Sequence, residues 1–407
     1  MWIYQILVSL FSRLSALFAL VHLKLRKQFL GQRNSLQQLP NFAKKGKLVW
    51  IHVASLGEYE QALPIIDKIR ERQTETQIVL SFFSPSGYEY AAKKAPVDFV
   101  FYLPWDTKSN ANKVVQWLKP DVAIFVKYEL WPNYLNALKK IGCPTYLVAA
   151  RFYKEQWLFK YRLGKLLLEN FNQILCQDES SISVVHSYYP ELPVQYCGDT
   201  RFDRVAQIAS ENKSLDWIES FIAGRKCIVF GSSWQEEHEL IAQSLREFDD
   251  PKVCFIVAPH KVDSVTTQKI ISSFSEPVNR YTQSEFQTDR RVLILDTVGL
   301  LSTVYKYANL AFIGGGFKTG LHNVPEAAVY GIPVLIGPNY SQFPEVVQLV
   351  KEGGVIVINE SSELDIYLQT LAKQPRALQS QGEANKRFIE QNLGASNKVY
   401  QAINKFL

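Results

Sequence analysis

Phe312-Ile-Gly-Gly-Gly-Phe-Lys-Thr-Gly-Leu-His-Asn-Val-Pro-Glu-Ala-Ala-Val-Tyr-Gly-Ile-Pro-Val-Leu-Ile-Gly-Pro338 is the stretch whose reading decides the fold. Leu310 to Ile313 is a short apolar run, as expected of a buried parallel strand. Three glycines follow it directly. Pro325 suits the first turn of a helix, and Glu326 to Tyr330 continues that helix. Gly331 ends it, and Ile332 to Ile336 is the next strand. Strand, loop, helix and strand make one unit of a parallel α/β sheet, whose ligands bind beyond the carboxyl ends of the strands. Gly314, Gly315, Gly316 and Gly320 allow close backbone approach to a phosphate, and the helix N-terminus favours its charge. The spacing does not fit the dinucleotide fingerprint, which argues against NAD or FAD. His322, Asn323 and Glu326 add polar groups, and a carboxylate one turn inside such a loop suits ribose hydroxyls. A tight turn without a ligand, with Glu326 as a solvated helix carboxylate, is the plain alternative.

Working outward, 407 residues are too many for one ordinary core, so two domains are expected. Five cysteines (Cys143, Cys176, Cys197, Cys227 and Cys254) form no CxxC pair. Their apolar settings predict buried free thiols in a reducing compartment. The six histidines show no metal-ligand spacing. Net charge is +6, but no acidic residue precedes Glu58, while eight Lys or Arg do. The remaining 37 basic residues face all 39 acidic ones, so the positive excess belongs to the N-terminal segment. That pattern disfavours a diffuse nucleic-acid surface and favours an anionic membrane surface.

Residues 2 to 30 are apolar with a polar stripe. Trp2, Ile3, Leu7, Leu10, Phe11, Leu14, Phe18 and Val21 cover most of the helix surface. Arg13 would cost roughly 2.5–3.5 kcal/mol at the centre of a span. An amphipathic helix lying in the interface avoids that cost, and Lys24, Arg26 and Lys27 add attraction to anionic lipid. A single span and a helix packed on its own domain are the alternatives. A signal peptide is disfavoured, because the leading positive charge and a small-residue cleavage site are missing.

The first half alternates strands with helices. Lys47 to Ala54 is a strand, and Ser55-Leu56-Gly57-Glu58 is the turn into a helix. A carboxylate there feels the positive end of the helix dipole and can take a proton from a hydroxyl, unless Glu58 only caps the first turn. Further strands run from Gln77 to Phe83, Phe99 to Leu103, Val122 to Val126, Thr145 to Ala149, Ile174 to Cys176 and Gln195 to Cys197. Polar groups follow the strand ends: Ser84, then Lys127 and Glu129, then Arg151. Ordinary loop chemistry explains each singly, but together they mark a candidate acceptor site.

The second half repeats the pattern after a junction at about 204–224. Strands run from Lys226 to Phe230, Lys252 to Ala258 and Arg291 to Leu295, before the opening stretch. Ser233 follows the first of these strands and suits a phosphate contact or a helix cap, with Glu236 completing a capping box. His260 and Lys261 follow the second and suit an anionic ligand or a solvated turn. A final helix from about Leu378 to Asn392 is expected to lie across both domains. The predicted class is α/β: two doubly wound Rossmann-like domains facing a cleft, as in GT-B glycosyltransferases, with an N-terminal amphipathic membrane helix. The segments are residues 1–33, 34–204 (acceptor) and 205–407 (nucleotide sugar). No Asp-x-Asp metal motif is present, which suits metal-free chemistry, and no cofactor is expected.

Several runs together resemble the Kdo transferases (3-deoxy-D-manno-octulosonic acid transferases). They are Ser55-Leu56-Gly57-Glu58, Glu129-Leu-Trp-Pro-Asn133, Gly198 to Asp203, Asp296 to Gly299, and Gly315, Gly316, His322, Asn323 and Glu326. The resemblance covers nearly the whole chain. It implies a CMP-Kdo donor, a lipid A precursor as acceptor, and a place on the cytoplasmic face of a Gram-negative inner membrane. It further implies Glu58 as general base, CMP held by the 314–326 loop with Glu326 on the ribose, and inversion by direct attack. The chain departs from the family at Lys127, where a second Glu is usual, and at Trp234, where a His is usual. Pro259-His260-Lys261 stands for Pro-Arg-His, and the glycine loop is spaced differently before His322. A nucleotide-sugar epimerase of the same fold and a non-catalytic, membrane-attached nucleotide-sugar binder are the competing functions.

Overall fold

The computed structural model describes residues 2–160, 163–283, 286–287, 289–318 and 320–407. The chain forms two compact units, residues 1–204 with 393–407, and residues 205–392. Each is built on a seven-stranded sheet in which every pairing is parallel.

In the first unit the strands are β1 (Leu48–Val53), β2 (Gln77–Phe82), β3 (Phe99–Tyr102), β4 (Val122–Val126), β5 (Thr145–Ala150), β6 (Gln173–Cys176) and β7 (Val194–Tyr196). Their order is β3-β2-β1-β4-β5-β6-β7. The order reverses between β1 and β4, the crevice where doubly wound sheets bind ligands. β1 and β4 are buried along their whole length, which is why they read as apolar runs, interrupted only by His52 in β1. One face packs Trp50, Phe101, Phe125 and Tyr134, and the other packs Ile51, Leu80, Phe82 and Ile124.

The second unit holds β8 (Lys226–Ser233), β9 (Val253–Pro259), β10 (Val278–Arg280), β11 (Val292–Ile294), β12 (Leu310–Ile313), β13 (Val334–Ile336) and β14 (Val355–Val357). Their order is β10-β11-β9-β8-β12-β13-β14, reversing between β8 and β12. Phe230 stacks on Phe255 and packs tilted against Phe312 in its core. The two doubly wound sheets agree with the sequence reading. β10 and β14 did not figure in it. They are three-residue strands at the two edges of the sheet, too short to carry a period.

Two further differences concern the termini. The expected N-terminal helix is two helices, Trp2–Phe18 and Leu23–Gln38, so a boundary at residue 33 falls inside the second. That second helix lies on the edge strand β3. A Cβ at Gly31 would sit 2.3 Å from the Tyr102 ring, so glycine lets the helix approach. Ser35 Oγ accepts the Tyr102 N–H at 2.9 Å, and Gln32 Nε2 donates to the Leu103 carbonyl at 2.9 Å. Gln32 and Ser35 thus satisfy part of an open sheet edge. The first helix is tied down by Tyr4, whose hydroxyl donates to Asp106 at 2.8 Å. Its apolar residues Trp2, Ile3, Ile6, Leu7, Leu10 and Phe11 are exposed, as are Leu20, Val21 and Leu23 after it. No described helix is long and apolar enough to cross a membrane.

At the other end, the helix Gln379–Gln391 belongs to the second unit. The chain then contributes a separate helix, Ala395–Ile403, to the first unit, where the sequence reading gave all of 205–407 to the second. Asp203 accounts for this. Its carboxylate accepts the Gly394 and Ser396 N–H groups, each at 2.6 Å, and so caps the last helix. Val399 and Ile403 then bury beside Ile65 and Ile66. The five cysteines are free and buried.

Candidate functional site

Each unit gathers polar groups at the carboxyl edge of its sheet, at its own switch point. In the first unit, β1 ends in Ala54 and the helix Leu56–Arg72 begins behind the N-cap Ser55. Glu58 is the third residue of that helix. Its Oε2 accepts the Ser55 N–H at 3.0 Å and the Ala54 N–H, closing a capping box with Ser55. Ser84, at the end of β2, donates its own N–H to the Ala54 carbonyl at 2.8 Å. One peptide therefore sets the places of both residues. Burial raises the Glu58 pKa above the ordinary carboxylate value, and the Glu129 charge raises it further. The Ala54 and Ser55 N–H groups and His52 pull the other way.

Glu129 is held in turn. Trp131 Nε1–H donates to its Oε2 at 2.6 Å, and His52 Nε2 lies 3.1 Å from the same oxygen. His52 is fully buried in β1, with Nδ1 2.8 Å from Ser81 Oγ, which also accepts the Trp50 Nε1–H at 2.9 Å. An ionised carboxylate only accepts, so the His52 proton facing Glu129 sits on Nε2. His52, Ser81 and Trp131 were not among the expected site residues. The sequence signal was a histidine inside an otherwise apolar strand.

Lys127 follows β4 in a left-handed conformation, φ +64°, unusual for a side chain with a Cβ. Burial depresses its pKa, with help from Arg201 and Arg151, while Glu58 and Asp199 oppose that. Arg151, after β5, lies 3.6 Å from Asp178 and 5.0 Å over the Tyr153 ring. Ser84, Lys127, Glu129 and Arg151 thus follow three strands, β2, β4 and β5, beside Glu58 after β1.

Asp106, fully buried after β3, braces the same edge. It accepts the Asn133 N–H at 3.0 Å and the Tyr134 N–H at 2.9 Å, besides the Tyr4 hydroxyl. It fixes the start of the Pro132–Lys140 helix and hence the Glu129-to-Asn133 run. Burial pushes its pKa up to about 6 despite these donors.

In the second unit the glycines serve the protein itself. A Cβ on Gly314 would meet the Ser232 carbonyl at 2.4 Å, on Gly315 the Gly320 carbonyl at 2.2 Å, and on Gly316 the Gly337 nitrogen at 2.6 Å. The Gly314 N–H bonds to Gly231 at 2.9 Å, the Gly315 N–H to Glu237 Oε1 at 2.7 Å, and the Gly320 N–H to the Gly315 carbonyl at 2.9 Å. These three N–H groups are occupied by protein, so the expected backbone cradle for a phosphate is not what the glycines build. They let two loops touch. Glu237 completes that join by accepting the Trp234 N–H at 2.7 Å through Oε2. The capping carboxylate is therefore Glu237 and not Glu236, because the helix Gln235–Glu247 starts one residue later than read. Glu236 pairs with Lys318 at 2.9 Å on the surface.

Ser233 is almost fully buried, with Oγ 2.9 Å from His238 Nε2, so its hydroxyl serves the fold. His260 is exposed and stacks on Trp234 at 4.2 Å, with Lys261 Nζ 5.9 Å from the Trp234 ring centre. His322 comes up beside them, 4.5 Å from His260. Asn323 Nδ2 donates to Glu326 Oε1 at 2.8 Å, while Asn323 Oδ1 is buried without a partner. The structure thus groups Trp234, His260, Lys261, His322, Asn323 and Glu326 around β8, β9 and β12. Thr319 lies outside the described residues. Asp296, from the Asp-Thr-x-Gly run, instead fixes the edge strand β10 by binding Arg280 at 2.7 Å.

Residues 26–204 match the family model of the 3-deoxy-D-manno-octulosonic-acid transferases (kdotransferases). The 3-deoxy-D-manno-octulosonic acid transferase of Rickettsia bellii is 26% identical over 374 residues, spanning 88% of this chain and 88% of that protein. The protein of the same name from Chlamydia muridarum is 25% identical over 369 residues, spanning 88% and 85%. A solved UDP-GlcNAc 2-epimerase from Neisseria meningitidis superposes with a TM-score of 0.63 over 88% of this chain and 100% of its own, at 14% identity. At that identity the likeness is one of fold alone. The match to the kdotransferase family model thus covers residues 26–204, and the chain as a whole is similar to proteins named 3-deoxy-D-manno-octulosonic acid transferase over 88% of its length.

Proposed function

We propose that this chain is an inverting glycosyltransferase of lipopolysaccharide biosynthesis, moving Kdo from CMP-Kdo to a hydroxyl of a lipid A precursor. The observation that carries the reading is the setting of Glu58. It lies at the switch point of a kdotransferase-family domain, with both backbone bonds on Oε2. Oε1 is the oxygen we assign to the acceptor proton. A sugar hydroxyl is a weak nucleophile, and a carboxylate with a raised pKa removes its proton more readily in the transition state. Ser84, Lys127, Glu129 and Arg151 are assigned to the acceptor, whose phosphate groups suit the two cations.

On the donor side, the unpartnered Asn323 Oδ1 and the adjoining Glu326 suit ribose hydroxyls. His260, Lys261 and His322 suit the phosphate that leaves with CMP, since stabilising that charge lowers the barrier. The exposed apolar helix Trp2–Phe18 suits the interface of the inner membrane, where the acceptor resides.

Incubation with CMP-Kdo and a tetraacylated lipid A precursor, read by product mass, tests the reaction. Wild type is expected to add Kdo, and Glu58→Gln to bind CMP without transferring. Gln keeps an oxygen for the capping bonds, so loss of transfer reports the base and not the helix end. Full transfer by Glu58→Gln removes the base assignment. Deleting residues 2–21 is expected to move the protein from the membrane to the soluble fraction, and unchanged sedimentation rejects the interfacial role.

A further inference from the structure

Trp234, His260 and His322 come from the loops after β8, β9 and β12. The Trp234 and His322 rings are tilted by only 16° with centroids 6.2 Å apart, and Trp234 Nε1 is 3.0 Å from His322 Nε2. The two rings lie side by side in nearly one plane, joined edge to edge. His260 lies over both, 4.2 Å from one and 4.5 Å from the other.

The chemistry of that bond has one solution. An indole N–H donates and never accepts. His322 Nε2 must therefore accept, which leaves it without a proton. A neutral imidazole then carries its proton on Nδ1. Protonating Nε2 would set two N–H groups head to head, so the imidazolium does not fit. The surroundings act the same way. Burial, with His260 stacked on the ring, lowers the His322 pKa to about 4. Lys261 stands over the indole. The acidic groups of these loops are engaged with other partners, Glu237 with the Trp234 and Gly315 N–H groups, Glu236 with Lys318 and Glu326 with Asn323. His238 faces Ser233.

We propose that Trp234 is a positioning residue that fixes His322 as the Nδ1–H tautomer, so that His322 meets the donor phosphate as an uncharged hydrogen-bond donor. The phosphate contact rests on the donor-site reading given under Proposed function, whereas the tautomer does not. An uncharged donor holds its strength across the range where an ordinary histidine gains and loses its charge. The cationic part of phosphate recognition then falls to Lys261. The leaving CMP keeps its charge, because a neutral imidazole N–H stabilises the phosphate without handing over its proton.

Two measurements on the full-length protein test this. Long-range 1H–15N spectra of the histidine rings read the tautomer in wild type. An unprotonated Nε2 and a protonated Nδ1, unchanged from pH 5.5 to 8, are expected; a protonated Nε2 overturns the proposal. The second compares CMP binding by wild type and Trp234→Phe, which keeps a stacking ring and removes the donor. In the variant His322 should populate both tautomers, while burial and the stacked His260 keep its pKa low. Its CMP affinity should fall on the order of fivefold across pH 5.5 to 8, the value of one ordinary hydrogen bond. The titration of CMP itself is common to both proteins and cancels in their ratio. A variant whose affinity tracks wild type at every pH overturns the positioning role. A fixed tautomer in a protein that does not bind CMP overturns the phosphate contact and the donor-site reading, while the Trp234–His322 lock stands.

Discussion

Glu237 and Gly315 are joined by a hydrogen bond of 2.7 Å, from an N–H of the glycine loop to a carboxylate on the neighbouring helix. The other oxygen of the same carboxylate holds the Trp234 N–H at 2.7 Å. One nearly inaccessible side chain therefore clamps together the two loops that meet at the switch point of the second sheet.

Glu237→Gln separates the two bonds. An amide has one acceptor oxygen, so one backbone N–H is left facing an NH2 group. Hydrogen bonds to charged groups are worth about 1.5–3 kcal/mol each. The expected loss is about 2 kcal/mol of local stability, read as amide exchange at Gly315 or Trp234 faster by about 30-fold. Exchange at Val253–Pro259, in the core of the same sheet, serves as the reference and should change far less.

The pairing of Glu58 with Glu129 predicts a pH effect. Burial is the larger cause of the raised Glu58 pKa, and the Glu129 charge is the second. Removing that charge should bring the pKa down toward the ordinary value. Gln at 129 keeps an oxygen for the Trp131 N–H and His52 Nε2–H, so the local geometry is conserved. The acid limb of kcat/KM, which reports the base in the free enzyme, should move to lower pH in Glu129→Gln. An unshifted limb would mean that another group is the base.

The alternation of strands and turns was legible because buried parallel strands have no polar face to blur them. Glu58, Glu129 and the 314–326 loop could be picked out because each follows such a strand. What escaped reading depends on contacts between distant loops. Nothing near Trp234 in sequence announces His260 or His322, yet all three rings meet. The glycines were read as open to a ligand, whereas Gly314 and Gly316 touch backbone from Ser232 and Gly337, which no spacing reveals. His52 was passed over because a histidine within an apolar strand has no motif, although its partners Ser81 and Glu129 make it the centre of a buried network.

Asp106 ties the N-terminal helix to the acceptor-side edge, and its titration tests that tie. Its pKa is raised by burial to about 6, and the Tyr4 hydroxyl holds it below what burial alone would give. Tyr4→Phe should therefore raise it further. A group with a raised folded-state pKa contributes most below its unfolded value, near 4, and that contribution is lost as pH rises through the folded value. The variant loses more over the rise. The difference between wild type and Tyr4→Phe should be small at pH 4, open above pH 6 and level off at about 1.5 kcal/mol or less, because Tyr4 is partly exposed. Amide exchange in Trp2–Phe18 at pH 5 and pH 8 measures it. A difference that shrinks with rising pH would contradict the assignment.

Two glycines offer the final contrast. A Cβ at Gly316 would lie 2.6 Å from the Gly337 nitrogen and 2.8 Å from its Cα, backbone atoms that no rotamer change can move. Gly316→Ala should cost on the order of 1–3 kcal/mol and lower CMP affinity, since the loop bearing His322 must shift. Gly57 has nothing within 4 Å of a Cβ and sits early in the Leu56–Arg72 helix, beside Glu58. The fold has no need of a glycine there. Gly57→Ala should raise thermal stability by roughly 0.5–1 kcal/mol, as in any compatible helix position. If the acceptor sugar reaches Glu58 across this surface, the same methyl should raise the KM for the lipid acceptor while CMP affinity stays at the wild-type value. A stabilised variant with unchanged acceptor KM would place the approach to Glu58 away from Gly57.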